Sequence, residues 1–196
     1  MDIEKTIQQM KLRGFEVSHF ATGAEAAEYL KNAVAGCTVG MGGSSTLDGI
    51  GIYDLLPAET TYWHWKVPGA ETLAKADTAD VYLSSVNAIS EDGQLLSIDG
   101  NGNRVSNQLF GHKKLYIVAS TGKICPDFDS ALSRARNTAA VQNCKRFPAR
   151  QTPCKLDDKC HDCRGADRLC RGLVVLWGPM MTMPTEVILI DEALGF

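Results

Sequence analysis

The sequence predicts a three-layer α/β/α domain built on an open, mostly parallel sheet and interrupted by one irregular cysteine-rich segment. Three observations predict it. Segments with helical spacing of apolar residues alternate with short β-branched runs along nearly the whole chain. KLYIVAS (114–120) is almost wholly apolar, as a strand covered on both faces should be. The 196 residues, 44% hydrophobic and 22% charged, suffice for one sizeable core. Residues 1–196 are therefore expected to form a single domain, with the segment 147–171 inside it.

The elements follow in order. Residues 2–13 carry Ile3, Ile7, Met10 and Leu12 at helical spacing, and Gly14 closes that helix. FEVSHF (15–20) reads as a strand, and GAEAAEYLKNAV (23–34) is rich in good helix formers. CTVGM (37–41) predicts a strand, STLDGIGIYDLL (45–56) a helix and TTYWHW (60–65) a strand. ETLAKA (71–76) is helical and DVYLSSV (80–86) extended. QLLSID (94–99) is strand-like between two Asp-Gly pairs. FDSALSRARNTAAVQN (128–143) gives the clearest helix, with Asp127 as its N-cap. LVVLW (173–177) and EVILID (186–191) are late strands.

Composition narrows the partners. Lys plus Arg number 20 and Asp plus Glu 23, so there is no overall basic balance to favour nucleic acid. No apolar run approaches the roughly 18 residues of a membrane span, and the first residues lack the apolar centre of a signal peptide. A cytoplasmic protein is expected, in which the seven cysteines serve as free thiols or metal ligands rather than disulfides.

GMGGSST (40–46) lies between a predicted strand and a predicted helix. Glycines such as Gly42 and Gly43 let the backbone turn sharply and approach a ligand. Ser44, Ser45 and Thr46 offer hydroxyls and a cap, and a helix start offers unpaired N–H groups. The loop reads as a seat for a phosphate or carboxylate, or as a tight turn that serves packing alone. It matches neither GxGxxG nor the P-loop pattern. Downstream, NAISEDGQLLSIDGNGNRV (87–105) gathers Asn87, Glu91, Asp92, Asp99, Asn101, Asn103 and Arg104 around two turns. Asp-Gly pairs mark hairpins. Loops leaving the C-terminal ends of parallel strands also line the crevice of an open α/β sheet. Asn87 follows one strand as the glycine loop follows another, so both should open on one edge. Arg104 could grip a carboxylate or phosphate with two prongs, or bridge to Asp99 at the surface. The candidate seat for a small anionic ligand is thus Gly42, Gly43, Ser44, Ser45, Thr46, Asn87, Glu91, Asp92, Asn103 and Arg104.

Cys154, Cys160, Cys163 and Cys170 follow C-x5-C-x2-C-x6-C. Four thiolates at such spacing can hold zinc or an iron–sulfur cluster. Reduced structural thiols, a disulfide and a redox CxxC are the competing readings. His161 is an alternative ligand. Cys37 and Cys144 read as core thiols, and Cys125, at a helix start, as a reactive one. His19, His64 and His112 read as structural or exposed. Trp63 and Trp65 flank His64 on one strand, with core packing the favoured role.

Three blocks, VGMGGSSTLDGIGIYDLL (39–56), VNAISEDGQLLSIDGNGNRVSNQLFGHKKLYIV (86–118) and TPCKLDDKCHDCRGADRLCR (152–171), resemble the lactate-utilisation (LUD) domain family, as does the terminal LGF (194–196). The resemblance runs from about residue 30 to the end. It implies a fold similar to the superfamily of glucosamine-phosphate isomerases, ribose-phosphate isomerases and CoA-transferases. In the sugar-phosphate members an early Gly-Ser/Thr loop holds phosphate, and GMGGSST looks like that loop. It also implies a part in oxidising lactate to pyruvate beside an iron–sulfur oxidoreductase partner. The superfamily's catalytic residues do not carry over. Glu91 and Asp92 lie in a region comparable to that of the isomerase bases, but the sequence around them does not match, and no glutamate stands out as a CoA-transferase nucleophile. The expectation is a small-anion-binding domain contributing to lactate oxidation with redox partners. The alternatives are a metal- or iron–sulfur-bearing accessory protein without its own catalysis, and an enzyme handling sugar phosphates or CoA.

Overall fold

Among residues 2–196, which the computed structural model describes, the strands are β1 (Glu16–Phe20), β2 (Val39–Met41), β3 (Thr61–Trp63), β4 (Val81–Ser84), β5 (Ala88–Ser90), β6 (Leu95–Asp99), β7 (Lys114–Ser120), β8 (Ile124–Cys125), β9 (Gly172–Leu176) and β10 (Thr185–Ile190). The helices are α1 (Ile3–Leu12), α2 (Gly23–Ala33), α3 (Ser45–Gly49), α4 (Ile52–Leu55), α5 (Ala70–Asp77), α6 (Asn103–Leu109), α7 (Phe128–Arg134), α8 (Ala140–Lys145) and α9 (Cys154–Asp157). No helix among these residues is long and apolar enough to cross a membrane.

Six strands form one wholly parallel sheet in the order β1-β10-β7-β4-β2-β3. Its central strands are apolar on both faces, because both are covered. On one face Tyr116, Val118, Ile188 and Ile190 pack with Leu30, Leu47 and Ile52 of α2, α3 and α4. On the other, Leu115, Ile117, Val187 and Leu189 pack with Met10 of α1 and Ala76 of α5. The three-layer α/β/α arrangement expected from the alternation is the one observed.

Local chemistry fixes the helix starts. Asp2 accepts from Lys5 N to cap α1, Thr22 and Glu25 form a reciprocal capping box on α2, and Asp127 caps α7 by accepting from Ser130 N. Two boundaries differ from the sequence reading. The helix expected over 45–56 is two short turns, parted where Gly51 takes a left-handed φ of 67°. The long helix is continuous from α7 to α8 but carries a π-helical stretch over Ala135–Ala139.

A second sheet, β8-β5-β6-β9, stands on the α1/α5 face. The turn at Asp92-Gly93 closes the β5–β6 hairpin, as one reading of the Asp-Gly pairs expected, whereas Asp99-Gly100 leads into α6. LVVLW joins this sheet, antiparallel to β6, and not the parallel one. Helix α7 packs on its outer side through Ala131 against Ala88 and Leu96. Because β2 exits into α3 on one face and β4 exits into β5 on the other, the chain diverges between two neighbouring parallel strands. That divergence opens a crevice at their C-terminal ends.

One ion pair ties the sheet edge together. Glu186 on β10, 3% exposed, accepts from Ser18 (2.7 Å) and Tyr29 (2.7 Å) and pairs with Lys114 (2.9 Å). Burial alone would push this carboxyl up, but the hydrogen bonds from Tyr29, Lys114 and Ser18 outweigh it and hold the group below the usual carboxylate range. We predict that Glu186→Ala costs about 3 kcal/mol, the order expected when one member of a buried pair is removed, read as a lower urea midpoint. The folded carboxyl titrates below the unfolded value of about 4.3. Its stabilisation is therefore complete above that pH and is lost as pH falls through the folded value. An acid limb of the stability curve identical in wild type and variant would reject this.

Candidate functional site

A cavity of about 320 Å³ occupies the crevice. Every part of its lining that comes from the parallel sheet follows the C-terminal end of a strand: Gly43–Thr46 after β2, His64 and Trp65 after β3, Ser85–Asn87 after β4, Lys123 after β7, and Gly195 and Phe196 after β10. Ile98–Asn101, Asn103 and Arg104 complete one side from the second sheet and α6, and Arg146 and Arg150 reach in from α8 and beyond. Of the two polar stretches expected on one edge, 42–46 and 87–104, residues 43–46, 87, 98–101, 103 and 104 line this space, whereas Gly42 and residues 88–97 do not.

The glycine loop serves packing and polarity together. Gly42 N donates to Leu83 O (3.0 Å), and a Cβ on Gly42 would sit 2.8 Å from Arg104 Cγ. A Cβ on Gly43 would meet the Trp65 indole at 2.6 Å. Ser44 caps α3 by accepting from Leu47 N (3.1 Å). Ser45 Oγ accepts from Arg146 (3.4 Å), whose guanidinium stacks over Trp65 at 4.1 Å. Thr46 Oγ1 accepts from Lys123 Nζ (2.9 Å) and from Ser85 Oγ (3.3 Å).

Lys123, like Arg146 and Arg150, is a cavity residue that the sequence reading missed. It is 3% exposed, and its amine donates to Thr46 Oγ1, Ser85 Oγ (3.3 Å) and the Val86 carbonyl (3.1 Å). Burial first, and then the positive fields of Arg134 and Arg104, push its pKa down to about 7. The signal was available: ASTGKI leaves the clearest strand, β7, at the same edge as the glycine loop and Asn87.

Arg104 lies in the cavity wall with its donors already engaged. It donates to Ser85 O (2.6 Å), Ile98 O (2.8 Å) and Asn87 Oδ1 (3.4 Å), and it pairs with Asp99 (3.3 Å). Of the two roles considered for it, the bridge to Asp99 is the one formed, in the interior and not at the surface. Asn87 Oδ1 also accepts from Ile98 N (2.6 Å). Asn103 lines the cavity from the first turn of α6. Glu91 and Asp92 stand apart from it. Glu91 accepts from Asp2 N and pairs with Lys5 at the start of α1, and the Asp92 carbonyl accepts from Arg13. They sit in the tight turn of the β5–β6 hairpin, which points to α1 and away from the crevice.

The remaining residues divide plainly. Trp63 is fully buried in the core, whereas Trp65 lines the cavity. His112 is buried between Ala79 O and Asn107 Oδ1, both at 2.8 Å, and His19 pairs with Asp191. His64 lines the cavity, and burial lowers its pKa, which favours the neutral ring. Cys125 does not carry the activated thiolate expected at a helix start: it is buried in β8 and burial pushes its thiol up. All seven cysteines are free. Cys154, Cys160, Cys163 and Cys170 line one small recess, and Cys144 of α8 joins them there. The closeness of Cys144 and Cys170 raises the Cys144 thiol and lowers that of Cys170. Arg136 donates to Cys160 Sγ (3.5 Å), and His161 turns to Asp157 (2.9 Å). Among the described residues no group of three or more His, Cys, Asp or Glu side chains is arranged to hold a metal ion as it stands.

The profile of the LUD domain family matches residues 3–190 of the chain, which carries the likeness back through α1. In structure the chain is similar to a DUF162 family protein from Deinococcus radiodurans, at 13% identity over 96% of this chain and 95% of that one, with a TM-score of 0.58. At that identity the similarity shows the fold. No curated protein matches the chain.

The depressed Lys123 amine makes a prediction about stability. Its folded pKa is about 7, and its unfolded value is about 10.4. Between these the unfolded chain binds a proton that the folded chain does not, so wild-type stability climbs with pH across that window. Lys123→Met should remove this climb and gain most over wild type near pH 7, measured as urea midpoints from pH 6.5 to pH 10. An unchanged slope in the variant would show that the amine is not depressed.

Proposed function

Because the chain belongs to the LUD domain family, we propose that it binds a small carboxylate of the lactate–pyruvate couple in the crevice cavity and contributes there to lactate oxidation. The observation that carries this reading is the charge of the cavity. Lys123, Arg104, Arg146 and Arg150 line it, and Asp99 is the only acidic side chain among the described lining residues. Asp99 is already taken by Arg104 and by the amides of Asn101 and Gly102. Arg104 is engaged within the wall and Arg150 pairs with Asp167 (3.5 Å), so an entering anion meets chiefly Lys123, Arg146 and the cavity hydroxyls, and partial exclusion of water strengthens each contact. The space suits a small ligand. Removing two electrons and two protons from a lactate carbon and its hydroxyl requires an acceptor, and in this reading an iron–sulfur oxidoreductase partner supplies it.

The test is calorimetric titration with lactate, pyruvate and inorganic phosphate. Wild type should bind at least one carboxylate. Arg146→Ala should weaken binding about tenfold, the loss expected for one charge-assisted contact. Gly43→Val, whose side chain would enter the Trp65 indole, should abolish it. Wild-type protein that binds neither lactate nor pyruvate would sink the proposal, whether or not phosphate binds.

A second reading rests on the thiol recess. Five sulfurs converge there, and Leu169 lines both the recess and the cavity. In this reading the chain carries zinc or an iron–sulfur cluster on Cys154, Cys160, Cys163 and Cys170, and the thiols close up when it loads. Protein purified without oxygen should then contain stoichiometric zinc or iron, with visible absorption in the iron case. Metal-free protein in which all four thiols react freely would remove this reading and leave the first untouched.

A further inference from the structure

Two lysines of this fold lie at the sheet, Lys114 partly buried and Lys123 buried, and they are treated in opposite ways. Lys114 lies against Glu186 and Glu16, and those carboxylates raise its pKa in spite of burial. That is how a buried ammonium is ordinarily kept. Lys123 is more deeply buried, yet its hydrogen-bond partners are two hydroxyls and a carbonyl, and its charged neighbours are arginines. A lysine placed for packing or for charge pairing would not be surrounded so. Once unprotonated, an amine without a counter-ion keeps two N–H donors for its three partners, so one of the two hydroxyls turns to donate to its lone pair, the pair that nucleophilic chemistry would use.

We infer that the Lys123 amine captures the carbonyl carbon of a small 2-oxo acid as an imine. This rests on the reading of the cavity as a carboxylate seat, and it assigns that seat its substrate class. The nitrogen lone pair attacks the carbonyl carbon, and a C–N bond forms as the C=O π pair moves to oxygen. The nitrogen loses a proton and the oxygen gains one, giving a carbinolamine. A second proton on that oxygen lets it leave as water, and loss of the remaining N–H proton leaves C=N, so amine and ketone yield imine and one water with no change in oxidation state. The hydroxyls of Thr46 and Ser85, joined to each other and to Nζ, stand where these protons must pass. Near neutral pH the depressed amine is already substantially unprotonated, which a surface lysine is not.

The experiment is reductive trapping. Wild-type protein is incubated with pyruvate and cyanoborohydride at pH 7.5, and the modified lysine is located by peptide mass mapping. In parallel, lactate, which has the same carboxylate but no carbonyl, is titrated by calorimetry. Labelling at Lys123 should exceed that at any other lysine at least tenfold, and Lys123→Arg should lose it. Labelling spread over surface lysines, or absent, while lactate still binds would overturn the imine and spare the carboxylate seat. Failure of both lactate and pyruvate to bind would overturn the seat as well. The map of the wild-type protein decides the matter even where Lys123→Arg does not fold.

Discussion

The guanidinium of Arg104 holds the cavity's frame. It binds the Ser85 carbonyl at the exit of β4, the Asn87 side chain beyond it, and Ile98 and Asp99 at the end of β6. One buried cation thus joins the parallel sheet to the second sheet. A charge at this depth is tolerated only when nearly every donor is matched, and the matching fixes where the loop 85–87 can lie. Gly42 follows from the same constraint, because the Arg104 side chain occupies the space its Cβ would need. The glycine loop therefore serves packing and turns polar groups inward at once. Gly42 and Gly43 yield room to Arg104 and Trp65, while Ser45 and Thr46 turn their hydroxyls to Arg146 and Lys123.

With Arg104 spent on structure, the cavity's reactivity falls to the cations that have no such duty. Lys123 has hydroxyls where a carboxylate would be expected, and Arg146 lies on an indole face with one weak contact to Ser45. The chain as a whole carries a net charge of −3, so this concentration of positive charge is local. A concave, partly desolvated wall focuses it further. The proposed seat thus rests on the cations with fewest partners, and it lies at the strand ends where the topology opens a crevice.

Much of this was legible in the sequence, and the misses have physical causes. The parallel strands and their order of helices follow from period and apolar runs, which burial on both faces enforces along KLYIVAS and TEVILI. The second sheet was hidden because β5 and β8 span only Ala88–Ser90 and Ile124–Cys125, too few residues for a period to show. Glu91 and Asp92 were drawn into the candidate seat by proximity in sequence to Asn87. Strand β5 runs between them, so Glu91 and Asp92, four and five residues on, sit in the turn at its far end. Arg104 was rightly placed in the cavity wall, yet its partners are carbonyls that no sequence pattern announces. Lys123 was missed for the converse reason: the rule about strand ends was applied to β2 and β4 and not to β7.

The helix that closes the site belongs to two places at once. Successive residues on a helix point about 100° apart, so Asn143 and Arg146 of the α8 end face the cavity while Cys144 faces the thiol recess. Just before it, the π-helical stretch over Ala135–Ala139 resets the helical register. Arg134 on one side of that stretch donates to the Asn87 carbonyl (2.5 Å), and Arg136 within it donates to the Cys160 sulfur. A regular helix would rotate everything beyond the stretch by a residue's angle and could not serve both sides with the same sequence. The irregular segment between α8 and β9 is thereby anchored to the helix that borders the anion seat, with Leu169 common to both linings. The thiol recess and the cavity thus meet at that one side chain and the turn of helix beside it.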